Sequence, residues 1–396
     1  MTPVVGWSKV RSPSIISGQD FGLRSIELVY NPFYKQSTRT PYYEILLRFT
    51  ILFSIVSILV SCQLNQTPVE NFASTSLPAE PLLPGMFTTD LLNPLDTPHT
   101  YVEETCRYLR NKWNPLNAAP GTVVMLILIK NINPGTGDLP DSVPVTQLFE
   151  LMDQLHAQGF EAITTDQLQA FMERNVEIPP RSFMLIQEGN QSLDYYDKYF
   201  REYFFMWGWT VTNGWVSERE VDATLLAENF TLEREGFIDH QASGVTPGTT
   251  LSDDSAKVII ARELQGSLTG FADQFGKKPT AIVWRNGGFG MRPIEAARQL
   301  RFKLGFTANT RGPIMYNWVP LGDTDDPERP DMIPEGLIDE PLMTLPTYTP
   351  NEALSAIDTV RAIGKAAAGY ASSNMDAEHK YYEVVCEEEY GPMPTP

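Results

Sequence analysis

The sequence predicts an α/β fold built on parallel strands. Two observations carry this. Seven strand-like apolar runs alternate with helix-like stretches from about residue 100 onward, a pattern that places crossover helices between parallel strands. The first run, "GTVVMLILI" (121–129), is continuously apolar, as expected of a strand covered on both faces. Periodicity alone leaves open whether the strands close into a barrel or form an open, doubly wound sheet. No glycine-rich phosphate loop follows the first strand, which weighs against a dinucleotide-binding sheet.

The elements follow in order. "PVTQLFELMDQLHAQG" carries a stripe of Leu148, Met152 and Leu155, with Thr146 as the expected N-cap and Gly159 at the stop. "FEAI" (160–163) is a short strand, and "TDQLQAFMERN" a helix with Leu168, Phe171 and Met172 inward. "SFMLI" (182–186) is the third strand, followed by the aromatic helix "LDYYDKYFREYFFMW". "WTVTNGW" (209–215) alternates as a strand, and "SEREVDATLLAEN" is helical with Ser217 as its cap. "GFIDHQ" (236–241) is a strand, and "SDDSAKVIIARELQGSLTGFADQFG" (252–276) a long helix capped by Ser252. "TAIVW" (280–284), a helix from Pro293, and "KLGFTA" (303–308) complete the alternation. Residues 312–350 are Pro-rich, 351–371 form a terminal helix, and "EEEYGPMPTP" reads as a frayed tail.

The chain has 396 residues, 42% hydrophobic and 11% aromatic, enough for a large core. Its formal charge is -19, which argues against nucleic acid as a partner, since phosphate binding needs a basic footprint. Residues 1–62 hold six Lys or Arg and three acids, giving +3 there and -22 for the rest. Arg48 precedes the uncharged run Phe49 to Val60, then Ser61 and Cys62. That run is short for a membrane span and right for a signal-peptide core. "LVSC" resembles the bacterial lipobox, which implies lipidation of Cys62 and an extracytoplasmic protein anchored to the bacterial membrane. Residues 1–45 are long for a leader and fit a start codon assigned too far upstream. The expected organisation is a leader over 1–61, a flexible tether over 62–104, a barrel over 105–325, and a Pro-rich segment with a terminal helix over 326–396. Cys62, Cys106 and Cys386 show no metal or redox spacing, and a Cys106–Cys386 disulfide stays open.

Four stretches carry a family resemblance: "FELMDQLHAQGFEAITTDQLQAFM", "PPRSFMLIQEG", "KPTAIVWRNGGFG" and "KLGFTANTRGPIMYNWVPL". In this order they resemble the polysaccharide deacetylases, the NodB-homology family of carbohydrate esterases, over roughly residues 105–325. The resemblance implies a distorted (β/α)7 barrel with its site at the C-terminal strand ends. It also implies a divalent metal, usually zinc, held by an aspartate and a His-x-x-x-His pair. A second aspartate would act as base and a late histidine as acid.

Carried over residue by residue, the machinery is altered. The base falls on Gln187, whose amide cannot take a proton near neutral pH. The metal aspartate falls on Glu188. The histidine pair falls on Ser243 and Pro247 in one register, or on His240 and Gly244 in the other. The only histidine late in the chain is His379, outside any matching motif. Gln187 and Arg285 thus mark the degenerate catalytic positions, and Glu188 and His240 the best remaining metal ligands. Lys130, Asn131, Trp215, Asn286 and Gly287 are the expected substrate contacts. Tyr195, Tyr196, Trp207 and Trp209 offer either sugar-stacking faces or plain core packing.

The function this implies is a lipid-anchored, deacetylase-like envelope protein, catalytically impaired and binding carbohydrate without a cofactor. One alternative is an active hydrolase with a rebuilt site around Glu188, Asp239, His240 and Arg285, using zinc or another divalent metal. The other is a solute-capturing lipoprotein.

Overall fold

The computed structural model describes residues 81–135, 139–325, 327 and 333–395. The expected leader and Cys62 lie outside the described residues. The chain divides into two units, Met1–Ser76 and Leu77–Pro396, and the described residues all belong to the second.

Its elements run β1 (Asp96–His99), α1 (Thr105–Lys112), β2 (Val123–Ile129), β3 (Asn131–Asn133), β4 (Ser142–Pro144), α2 (Val145–Ala157), β5 (Glu161–Ala162) and α3 (Thr165–Arg174). Then come β6 (Arg181–Glu188), α4 (Leu193–Tyr199), α5 (Arg201–Trp207), β7 (Val211–Trp215), α6 (Ala223–Arg234), β8 (Ile238–Ala242) and α7 (Lys257–Phe275). The last are β9 (Ala281–Val283), α8 (Met291–Gln299), β10 (Leu304–Phe306), β11 (Val319–Gly322), α9 (Glu335–Ile338), α10 (Pro350–Tyr381) and α11 (Glu387–Tyr390).

The main sheet is parallel, in the order β10-β9-β8-β7-β6-β2, with β5 paired to the start of β6. Its two edges are joined by an extended segment, residues 345–348. Leu345 N–H donates to Gly305 O at 2.9 Å, and Tyr348 N–H donates to Leu126 O at 2.7 Å. The result is a distorted (β/α)7 barrel. Part of the distortion lies between β8 and β9, which share a single paired position, Ala242 with Ile282.

The pleat sorts each strand into two faces. Val124, Leu126 and Leu128 meet Met184, Ile186, Val283, Leu304, Phe306 and Leu345 inside the ring. The residues between them, Val123, Met125, Ile127 and Ile129, pack outward on Leu148, Leu151 and Met152 of α2 and on Ile357 and Val360 of α10. The close seat of α10 needs two glycines. A Cβ on Gly121 would lie 2.5 Å from Gly364 O, and one on Gly364 would lie 2.8 Å from Gly121 O.

Several local expectations are corrected. α2 has no side-chain cap, and Pro144 occupies the position before it. The aromatic helix is broken at Phe200 into α4 and α5. α6 starts at Ala223 with Asp222 as its cap, not at Ser217, because the Asp222 carboxylate reaches the N–H groups of Thr224 and Leu225. α7 starts at Lys257, because Ser252–Ser255 closes a turn of its own. Asp253 from that turn caps a different helix, accepting from Met291 and Arg292 at the head of α8. α8 accordingly begins at Met291 rather than Pro293.

The terminal helix α10 runs ten residues past Ala371 to Tyr381, and Thr349 and Glu352 form its capping box. The tail is docked rather than frayed. Cys386 is disulfide-bonded to Cys106, with Cα atoms 5.4 Å apart, and Tyr390 and Met393 pack beside them. At the other end, β1 pairs antiparallel with β11, so residues 96–99 of the expected tether are sheet.

Candidate functional site

The C-terminal strand ends form one rim. The pleat decides which side chains reach it. On β6, Met184 and Ile186 face the lumen, so Glu188 faces it too and Gln187 faces away. The same parity carries Lys130 past the end of β2 and Arg285 past the end of β9 toward the mouth.

Gln187 is fully buried and fully bonded. Its Oε1 accepts from Tyr195 Oη at 2.7 Å. Its Nε2 donates to Lys130 O at 3.1 Å and to Glu188 O at 3.0 Å. Asn213, also fully buried, adds donations from Nδ2 to Gln187 O at 3.0 Å and to Gly189 O at 2.7 Å. These bonds tie the ends of β2, β6, β7 and α4 together. The Gln187 amide is a structural staple.

Glu188 is 7% exposed. Its Oε1 accepts from Asn286 N–H at 3.0 Å, and its Oε2 is buried with no hydrogen-bond partner among the described residues. Arg285 and Asn286 lie in a 3-10 turn, Arg285–Gly287, with Asn286 in the left-handed region at φ 52°. Gly287 is required there: its φ is 69°, and a Cβ would lie 2.8 Å from Ala308 Cβ. The Arg285 guanidinium lies across Gly189, its Nη1 3.7 Å from where a Cβ on that glycine would be. Both Nε and Nη1 of Arg285 are buried without a hydrogen-bond partner among the described residues.

Lys130 lines a cavity of about 220 Å3 at the rim, in which Asn131, Asp141, Thr347, Thr349 and Asn351 stand beside the apolar Leu128, Val143, Ala308 and Pro350. Lys130 Nζ pairs with Asp141 at 2.7 Å, and Asn131 Nδ2 donates to the Asp141 carbonyl at 3.3 Å. A larger cavity of about 340 Å3 opens at the other end of the barrel, between Tyr108, Tyr316 and Tyr370, away from every site residue the sequence singled out.

Two expected site residues are not at the mouth. His240 is fully buried on the outer face of β8. Its Nδ1 lies 2.7 Å from Glu233 Oε2, its Nε2 2.9 Å from Asn229 Oδ1, and its ring stacks on Phe275. Parity again explains this: His240 shares its face with Ile238 and Ala242, which pack against the helices. Trp215 is fully buried on the outer face of β7 and donates from Nε1 to Gln274 Oε1 at 2.8 Å. Tyr196 and Trp209 are core residues too, and Trp207 stacks on His156 with ring centres 3.9 Å apart.

The implied metal does not fit these residues. Glu188 is the only one of the expected ligands at the mouth, and one of its oxygens is held by Asn286. The other three histidines are elsewhere: His99 beside Asp323, His156 on Trp207, and His379 edge-on to Trp113. Ser243 Oγ donates to Val283 O at 3.0 Å. Among the described residues no group of three His, Cys, Asp or Glu side chains is placed to hold an ion. The loop after β8, where a metal-binding pair would stand, is fastened instead by a carboxylate. Glu263 accepts from Val245 N–H and Thr246 N–H, both at 2.8 Å, and from the Thr246 hydroxyl at 2.8 Å. Asp239, the remaining member of the rebuilt-site alternative, pairs with Lys277 at 2.8 Å.

Sequence reading missed the roles of Tyr195, Asn213 and Glu263. Strand parity was the available signal for Asn213: adjacent residues on one strand cannot both face the mouth.

The fold can be set beside solved structures. Its neighbours there are deacetylases. A Streptococcus pyogenes deacetylase in complex with acetate superposes with a TM-score of 0.47 at 13% identity, covering 61% of this chain and 99% of that one. A polysaccharide deacetylase from Bacillus cereus gives 0.43 at 14% identity, covering 59% and 69%. A de-N-acetylase from Aggregatibacter actinomycetemcomitans gives 0.45 at 11% identity, covering 60% and 99%. No family model matches the sequence. No curated protein matches it either.

Proposed function

We propose that this chain is a deacetylase-like protein of the bacterial cell envelope that binds carbohydrate at the barrel mouth without deacetylating it. The observation that carries the reading is Gln187. The residue at the base position is an amide, turned away from the mouth and held by three hydrogen bonds. The lack of any imidazole at the rim among the described residues supports it further. The rim offers groups a sugar site can use: a cavity lined by Lys130, Asn131, Thr347 and Asn351, and, outside that lining, the buried carboxylate of Glu188 and the cationic Arg285.

We infer lipid anchoring through Cys62 from the lipobox-like "LVSC" and the apolar run before it. The Cys106–Cys386 disulfide supports an extracytoplasmic location, because such bonds persist in oxidising compartments.

The test pairs two assays on the full chain: calorimetric binding of acetylated saccharides, including chitotriose, and acetate release from the same compounds in the presence of zinc. Binding without release is the expected result. Multiple-turnover acetate release would replace this reading with the hydrolase.

A further inference from the structure

We propose that the barrel mouth takes a saccharide bearing a carboxylate, a uronic acid, with Arg285 as the anchor of that carboxylate. This rests on the carbohydrate-binding reading above and names its ligand class.

Two charged groups at the mouth leave each other unsatisfied. Arg285 Nε and Nη1 are withdrawn from solvent and meet no acceptor among the described residues. Each edge of the guanidinium thus holds a donor that a planar anion can satisfy. Glu188 Oε2 is likewise buried and meets no donor among the described residues. Burying such groups without partners is costly, so the site is built for a molecule that brings an acceptor to one and a donor to the other.

A neutral sugar supplies hydroxyl donors for Glu188 but only uncharged acceptors for Arg285, and a hydrogen bond from a guanidinium is roughly twice as strong to a carboxylate. A simple carboxylate supplies the acceptor and no hydroxyl. A uronic acid carries both on one rigid ring. Gly189 leaves the flank of the guanidinium open: a side chain there would begin 3.7 Å from Nη1. Lys130 stands on the same rim as a second cation, and Thr347, Thr349 and Asn351 line the cavity beside it with groups that can bond further hydroxyls.

The experiment is isothermal titration of the full chain with trigalacturonate and with its methyl ester, which differ only in the carboxylates, with chitotriose as a neutral reference. The acid is expected to bind at least tenfold more tightly than the ester. Arg285→Met should bring the two to equal affinity. Arg285→Lys, which keeps the charge but loses the planar fork, should lose most of the preference, and it decides the matter if the methionine variant does not fold. Equal binding of acid and ester by the unaltered chain overturns the proposal, as does a preference that survives in both variants. Binding of chitotriose alone also overturns it but leaves the carbohydrate reading standing. Binding of none of the three overturns both.

Discussion

Tyr195 Oη donates to Gln187 Oε1 at 2.7 Å, and this bond holds the buried amide against the helix layer. Burial pushes the Tyr195 phenol well above its ordinary pKa, so the hydroxyl stays a donor through the working pH range. Tyr195→Phe should cost about 1–2 kcal/mol by leaving Gln187 Oε1 unsatisfied. In a double-mutant cycle with Gln187→Leu, urea unfolding should show a coupling of about 0.5–1.5 kcal/mol. Additive effects would mean that the bond does not contribute.

An aspartate at position 187, the base that the resemblance implies, should not produce deacetylation. Gln187→Asp places a carboxylate against the carbonyls of Lys130 and Glu188, which now accept from the amide. A buried, uncompensated charge of this kind costs about 3 kcal/mol or more. The expected outcome is a lower unfolding temperature and no acetate release. Release at several turnovers would show that the mouth needed only its base.

Zinc should not bind in stoichiometric amount. After equilibration with zinc and gel filtration, elemental analysis of the full chain and of Glu188→Ala should give the same low content. One zinc per chain, lost in the variant, would return the hydrolase to consideration.

The loop after β8 should loosen in acid. Burial alone would raise the Glu263 carboxyl. The N–H groups of Val245 and Thr246, the Thr246 hydroxyl and Arg262 outweigh burial and hold its pKa below the ordinary value. The unfolded chain therefore takes up this proton at higher pH than the folded one does. The stabilisation is complete above the ordinary carboxyl range and is lost as pH falls below about 4.5 through the folded value. Thermal unfolding from pH 7 to pH 3 should show a smaller acid loss for Glu263→Gln than for the unaltered chain. Parallel curves would assign the acid sensitivity to other groups.

Breaking Cys106–Cys386 should cost about 2–5 kcal/mol, since the bond closes a loop across most of the chain. Unfolding temperatures with and without reductant measure this. No difference would mean that the packing of Leu109, Tyr382 and Tyr390 suffices to dock the tail.

How much of this the sequence discloses depends on the kind of signal. β2 and β6 are plain, because strands covered on both faces read as unbroken apolar runs. The closing segment 345–348 is not. "LPTY" contains a proline and no alternation, yet the N–H groups of Leu345, Thr347 and Tyr348 all donate to neighbouring strands or loops, and Pro346 falls where no donor is needed. Caps are ambiguous where two polar residues compete, and Asp222 rather than Ser217 supplies the one in reach. The altered residues of the site are legible one by one. Their orientation follows from strand parity, which puts Gln187 and Glu188 on opposite faces. That two nitrogens of Arg285 meet no acceptor among the described residues is visible only in the three-dimensional arrangement.

The segment that joins β10 to β2 has a consequence for biosynthesis. The ring receives its final stave only after residue 348 has left the ribosome, and the covalent clasp needs Cys386, later still. Until then the β10 edge and the part of the β2 edge beyond Val124, where Ile314 pairs, stay uncovered, the kind of surface on which aggregates grow. A message truncated before codon 345 should therefore yield a product that precipitates or is degraded, not a shortened working domain.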